Sequence, residues 1–183
     1  MTVDVAAARS FLATHGRLLD RRRLELALAP TAERARAALD ALVAYRNLDG
    51  GYGSGIEPDL RAPESQPAGA LHAFEVLAEA GAAGVTSPRA AELCDWLAAA
   101  SLDDDALPFA LSIADPAGCA PFWTGADPTL PSLQITAAVA SVAVRTARHD
   151  PAVAADRWVE AAIGFCLGTL AERDEPLSAY ELS

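Results

Sequence analysis

The chain has 183 residues, of which 52% are hydrophobic and 21% charged, so it can bury one substantial core. Its formal net charge of −11 argues against a nucleic acid or an anionic membrane surface as partner, since both require a basic face. Much of the apolar share is alanine, which favours closely spaced helices. The composition therefore predicts a single all-α domain over residues 1–183, and its acidity fits a cytoplasmic protein.

The predicted helices share one kind of start, a capping residue accompanied by proline, as in Ser87-Pro88 and Asp150-Pro151. No segment alternates apolar and polar residues for long, so we predict no sheet. The least charged stretch, 130–144, is too short to span a membrane. In chain order the predicted helices span residues 3–15, 17–29, 31–45, 66–80, 87–100, 131–148 and 150–171.

The cysteines give no sign of a covalent framework. Cys94, Cys119 and Cys166 are odd in number and far apart in the chain. That pattern fits neither a disulfide scaffold nor a zinc site. We therefore predict that they are buried free thiols.

The most distinctive segment is residues 47–53, which read NLDGGYG and follow the third predicted helix. Glycines close a helix well because they tolerate positive φ, and the aromatic ring is expected to fold back on the helix end. The segment therefore predicts the turn of a helical repeat.

Residues 47–53 resemble the turn of the squalene-cyclase and prenyltransferase repeat, in which Gln-x-x-Asp-Gly-Gly-Trp/Tyr-Gly closes the outer helix of each hairpin of an α/α toroid. Arg46 or Asn47 stands where that family usually has glutamine. The resemblance covers residues 32–145. It implies a terpenoid cyclase-like toroid with an apolar cavity for an isoprenoid or another hydrophobic small molecule.

The order of the elements also suggests a repeat. Acidic turns at residues 49–51, 103–105 and 174–176 are each followed by a loop and a new helix start, near residues 67, 132 and 178. Helices after the turns are rich in small residues, whereas those before them carry Arg, Glu and Trp. We predict N-terminal helices in residues 1–30 and helical hairpins in 31–183, the last of them incomplete.

An incomplete ring would leave apolar helix faces without a neighbour, at a cost of about 25 cal/mol for each Å² left in water. Some other surface must then cover these faces. We expect either a homodimer that completes the ring or a chain shortened from a longer protein. A self-sufficient half-ring is the third alternative.

The catalytic motifs of the resembled family are not intact. Residues 103–105 lack the Asp-x-Asp-Asp spacing of proton-donating cyclases, and Leu107 and Pro108 stand where a magnesium-binding Asp-Asp-x-x-Asp motif needs an acid. We therefore predict no metal and no cofactor, with magnesium unsupported by any motif. The acidic triplet is interpreted as a solvated turn or, alternatively, as a ligand or metal contact through Asp104.

The long loop 53–66 is a stronger candidate site, because it gathers Glu57, Asp59 and Arg61 among its prolines. One interpretation is that Arg61 pairs with Glu57 or Asp59 and braces the loop. The functional alternative places the two carboxylates at the mouth of the cavity, where they act as catalytic acid groups or orient a cation or a hydroxylated substrate.

A second long loop, 107–130, brings Phe109, Phe122 and Trp123 together. Aromatic rings over a helical cavity stabilise cations, but they also anchor loops to a core. The expected substrate-binding residues are Tyr52, Arg61, His72, Phe122 and Trp123.

His72 precedes Glu75 by three residues in a predicted helix and shares a face with Glu79. Two interpretations are open for this group. It forms a proton relay inside the cavity, or it simply faces water, which we favour.

Functional hypotheses from different classes follow. The first is a terpene cyclase- or prenyltransferase-like enzyme that uses Glu57, Asp59 or Asp104. The second is a non-catalytic α/α module that binds a hydrophobic ligand or a partner chain, since the catalytic motifs are missing and fold does not imply function. A distant third is a carbohydrate enzyme with Glu57 and Asp59 as paired carboxylates.

Overall fold

The computed structural model describes residues 3–173, and no strand occurs among them; only isolated bridges pair loop residues. The all-α prediction is therefore confirmed. The helices are α1 Val5–His15, α2 Leu18–Leu28, α3 Ala32–Leu42, α4 Pro67–Ala82, α5 Arg89–Ala100, α6 Pro121–Thr124, α7 Leu133–Ala147, α8 Pro151–Ala154 and α9 Arg157–Ala171.

Capping residues define several of the helix starts. The side chains of Asp4, Thr31 and Ser132 accept backbone N–H groups in the first turns of α1, α3 and α7. The third helix ends earlier than predicted, because the chain tightens after Leu42 into a 3-10 turn, Val43–Tyr45. This turn leads directly into the glycine-rich segment.

The prediction of one helix over residues 150–171 is wrong. The structure has two helices there, α8 and α9, separated by Ala155 and Asp156. The Asp156 side chain accepts the backbone N–H of Trp158 at 2.9 Å, so it caps a new helix start. The short helix α6 likewise interrupts the predicted loop 107–130.

Helix α4 lies at the centre of the core and contacts α2, α3, α5 and α7. Helix α7 in turn packs against α8 and α9. Small residues on α4 allow these close approaches. A Cβ atom on Gly69 would lie 2.0 Å from the carbonyl oxygen of Tyr52, so that position requires glycine.

The glycine-rich segment, named the Asp49 turn (residues 46–53), is held by one carboxylate. Asp49 Oδ1 accepts the Gly51 N–H at 3.0 Å and the Ser65 hydroxyl at 2.8 Å. Its Oδ2 accepts the indole N–H of Trp96 at 3.1 Å. Gly50 has a φ of 96°, as the glycine pattern predicted. The turn therefore joins the end of α3 to the following loop and to α5.

The cysteines are free thiols, as predicted; Cys94 and Cys166 are buried, whereas Cys119 is half-buried. Burial raises the pKa of the Cys94 thiol to about 12.

The predicted turn 174–176 and the helix start near residue 178 lie outside the described residues. Closure into a toroid, the homodimer and the cytoplasmic location stay predictions.

Candidate functional site

A cleft of about 920 Å³ lies between α4, α7 and the loop that contains α6. Its size falls within the range of about 300 to 1,000 Å³ that is common for small-molecule sites. Most of its wall is apolar, while carboxylates line one part. The lining residues are Glu57, Ala68, Leu71, Glu75, Phe109, Phe122, Trp123, Gln134, Ile135, Ala137, Ala138, Ser141 and Val142.

Helical spacing explains why two helices supply most of the cleft. The α4 residues at 68, 71 and 75 follow one another at helical intervals of three and four, and so do the α7 residues at 134, 138 and 141 and those at 135, 138 and 142. Ala68 on α4 and Ala137 and Ala138 on α7 have short side chains, which leave space between the two helices. The empty volume is therefore a consequence of the small residues on these helices.

Three rings at the cleft form an aromatic cluster, defined as Phe109, Phe122 and Trp123. Phe109 stacks on Trp123 with ring centroids 4.6 Å apart, and the Phe122 centroid lies 5.2 Å from that of Trp123. The structure thus brings together the aromatic residues that the sequence singled out in the second loop. Trp123 is buried, whereas Phe122 is 55% exposed.

The two long loops hold each other in place beside the cleft. Asp59 Oδ1 accepts the Trp123 indole N–H at 2.8 Å, and the backbone carbonyl of Asp59 accepts the N–H of Ala120 at 2.7 Å. A bridge between Leu60 and Cys119 continues the contact. Asp59 therefore fixes the orientation of the Trp123 ring, and it does not itself line the cleft.

His72 lies between two carboxylates, one from the first loop and one from its own helix. Its Nε2 is 2.7 Å from Glu57 Oε2, and its Nδ1 is 3.2 Å from Glu75 Oε2. Burial opposes a charge on the ring, but the hydrogen bonds to Glu57 and Glu75 outweigh it and raise the pKa of His72 to about 9. At neutral pH both ring nitrogens carry protons and donate.

The hydrogen bonds between charged side chains continue away from the cleft through an arginine on α2. Arg23 Nη1 donates to Glu75 Oε2 at 3.2 Å, and Arg23 Nε donates to Glu79 Oε2 at 3.0 Å. We call these five residues, Glu57, His72, Glu75, Arg23 and Glu79, the His72 network. The favoured interpretation that this face of α4 simply faces water is incomplete, because its side chains are half-buried and also hydrogen-bond to one another, with His72 24% exposed.

The geometry keeps both cleft carboxylates ionised. The hydrogen bond from His72 lowers the pKa of Glu57, and its second hydrogen bond lowers that of Glu75. A carboxylate of this kind can attract a cation or accept a hydrogen bond from a ligand. It is poorly suited to donate a proton to an alkene, which requires an acid that stays protonated.

The other predicted site residues lie elsewhere. Tyr52 is fully buried in the core and does not line the cleft. Arg61 braces its loop through the backbone, since its Nε donates to the Pro58 carbonyl at 2.9 Å, and not through the expected carboxylates. Asp104 is exposed in a turn, where its Oδ1 accepts the Ala106 N–H at 3.2 Å.

Sequence reasoning missed the α7 wall of the cleft and the contribution of Arg23. The α7 residues Gln134, Ala138 and Ser141 carry no catalytic motif, so only their helical spacing and small size could have indicated a cavity wall. Arg23 is 52 residues before Glu75, and a pairing over that distance needs the fold. Within residues 3–173 no cluster of three or more His, Cys, Asp or Glu side chains is arranged to hold a metal ion.

The chain is thus an all-α protein with an apolar, aromatic-walled cleft that has an acidic edge. No protein-family model, curated protein or solved structure matches it. Across the described residues, every helix is too short or too polar to cross a lipid bilayer.

Proposed function

We propose that this protein binds an isoprenoid or a similarly apolar small molecule in the cleft between α4 and α7. The observation that carries the proposal is the cleft itself, about 920 Å³ in volume and walled by aliphatic side chains, alanines and the aromatic cluster. Burying the apolar surface of a ligand there would contribute about 25 cal/mol per Å². The resemblance of the Asp49 turn to the squalene-cyclase and prenyltransferase repeat points to the same ligand class.

Binding is favoured over cyclase-type catalysis by the protonation state of the acidic edge. Glu57 has a lowered pKa and its hydrogen-bond partner His72 is already protonated at neutral pH, so neither residue offers the protonated carboxylic acid that alkene activation needs. Asp59 is hydrogen-bonded to Trp123, and Asp104 lies in an exposed turn. The non-catalytic alternative from the sequence is therefore the better supported one.

Tryptophan fluorescence tests the proposal, because Trp123 lines the cleft while Trp96 and Trp158 donate to Asp49 and Ser101 away from it. Titration with farnesol is expected to change the emission saturably. Trp123→Phe should remove the emission change while native mass spectrometry still detects the bound ligand. An unsaturable change in the wild-type protein would contradict the proposal.

A blocking variant with a matched control locates the binding. Ala138 is a half-buried cleft residue of α7, whereas Ala98 is an exposed residue of α5 that does not line the cleft. Ala138→Phe is expected to weaken farnesol binding at least about tenfold by filling the space, whereas Ala98→Phe should leave it unchanged. Equal affinity in the two variants would exclude the cleft as the site.

A second candidate function is acid–base catalysis on the bound molecule, favoured by the 2.7 Å contact between His72 and Glu57 at the cleft edge. It requires turnover. Incubation with farnesyl diphosphate, followed by product analysis, tests it in the wild type and in Glu57→Gln, with Asp104→Asn as the control outside the cleft. Turnover that persists unchanged in Glu57→Gln would remove this carboxylate from the reaction.

A further inference from the structure

The charges at the cleft specify more about the ligand than its size does. We propose that the cleft prefers an apolar molecule with a cationic head group over a neutral alcohol, and that it rejects a phosphate or diphosphate ester. This inference rests on the proposed binding function and concerns the head group that the same site would accept.

The cleft surface offers no cation to an anionic ligand. The chain contains no lysine, so its basic residues are arginines and histidines. None of the described residues that line the cleft is an arginine or a histidine, whereas Glu57 and Glu75 are both among them. A diphosphate ester would meet two carboxylates with no arginine or lysine to bind its charge, which costs affinity.

The His72 network carries an excess of negative charge. Three carboxylates, Glu57, Glu75 and Glu79, face two cations, Arg23 and His72. One negative charge is therefore uncompensated next to the cleft, in a protein whose net charge is already −11. Glu57 and Glu75 have side chains only 22% and 29% exposed, so solvent screens them less than it screens carboxylates on an open surface.

The aromatic cluster lies on the same cleft and favours the same head group. Ring faces attract a cation within about 6 Å of the ring centroid. Phe109, Phe122 and Trp123 all line the cleft, and Phe122 is 55% exposed, so its ring is open to a ligand. Carboxylates and ring faces lining one cleft both favour a quaternary or protonated amine.

Three probes with one hydrocarbon body test the inference: farnesol, farnesyl diphosphate and farnesyl trimethylammonium. The ammonium is permanently charged, so its binding reports the site and not the titration of the ligand. We expect it to bind at least about fivefold more tightly than farnesol in low salt, and the diphosphate to bind more weakly than farnesol. The preference should shrink as salt is added.

Variants assign the preference to the cleft carboxylates. Glu57→Gln and Glu75→Gln should each bring the ammonium and the alcohol to within about twofold of each other, because each removes the uncompensated negative charge. Asp104→Asn makes the same change in net charge in an exposed turn outside the cleft, and it should keep the wild-type preference.

The outcomes separate the two proposals. If farnesol binds but the ammonium binds no more tightly, or the diphosphate binds best, the head-group inference is overturned while the proposed function stands. If the preference is lost equally in Asp104→Asn, it is a property of the whole protein and not of the cleft, and the inference is again wrong. If none of the three probes binds saturably, the proposed function itself fails.

Discussion

The Asp49 turn and the His72 network are both polar regions beside α4, but they are built in different ways. In the turn, Asp49 bonds to a backbone N–H, a hydroxyl and an indole, and glycines allow close backbone contacts. In the network, three carboxylates and two cations share the space at the edge of an open cleft. The recognisable motif therefore has a structural role, whereas the candidate site has no motif.

The resemblance to the repeat turn therefore concerns the scaffold more than the cleft. The residues that match the repeat turn hold loops and helices together, and none of them lines the cleft. The cleft depends on alanines, on helical spacing and on charged residues far apart in sequence. Variants that affect only one of the two regions can test this division.

The greatest loss of stability is expected from Gly69→Ala, which disturbs the packing behind the Asp49 turn. A Cβ atom there would lie 2.0 Å from the Tyr52 carbonyl oxygen, and the helix or the turn must move. We expect the free energy of unfolding, measured with urea, to fall by at least about 3 kcal/mol. A loss below about 1 kcal/mol would show that the two segments separate easily, and it would contradict close packing of α4 against the turn.

His72→Gln tests the network through its pH dependence. The pKa of His72 is raised to about 9 in the folded protein from an ordinary value of 6.5, so its contribution to stability is complete below pH 6.5 and is lost as the pH rises through 9. Because a quarter of the side chain is exposed, we expect a loss of about 2 kcal/mol over that window, less than the full shift would give.

The measurement is urea unfolding of wild type and His72→Gln at several pH values between about 6 and 10. The difference between the two proteins should shrink as the pH rises. A difference that stays constant would mean that His72 is not held between charged carboxylates, and it would also weaken the head-group inference.

Asp49→Ala removes the acceptor of three hydrogen bonds at the turn. Asp49 lies near the surface, so water can replace some of these partners, and we expect a loss of about 1.5 kcal/mol in the free energy of unfolding. Asp104→Ala is the matched control, since Asp104 accepts one N–H in an exposed turn. Equal losses in the two variants would refute the structural role assigned to Asp49.

Gly164→Ala, in the exposed part of α9, should change stability least. A Cβ atom there meets nothing within 4 Å, so alanine adds helix propensity without strain. The protein should gain about 0.5 to 1 kcal/mol, detectable as a higher midpoint of thermal unfolding. A destabilised variant would indicate that another surface covers this face of α9, as a homodimer would.

Local signals in the sequence predicted much of the fold. The helices predicted to begin at residues 31 and 131 are capped by Thr31 and Ser132, and Pro67 begins α4 one residue after the predicted start. The break between α8 and α9 was missed because alanines on both sides favour helix, and only the Asp156 cap marks it. Capping residues are local signals, and this one was hidden within an otherwise helical pattern.

The candidate site was predicted less completely, for a physical reason. Loop composition indicated Glu57 and the aromatic cluster, which the cleft does contain. The same reasoning placed Tyr52 at the site, although its ring is fully buried in the core. Whether a side chain faces a cleft or the core depends on contacts between distant segments, such as Asp59 with Trp123, which are 64 residues apart.

Two-dimensional amide NMR of the labelled chain during titration with farnesol would show at residue resolution whether the cleft binds an apolar ligand. We expect saturable shifts that concentrate on residues 68–75 of α4, residues 134–142 of α7 and the aromatic cluster. Amides of α1 and of the exposed end of α9 should not move. Shifts spread evenly over the protein, or centred on the apolar residues of α9, would contradict binding in the cleft.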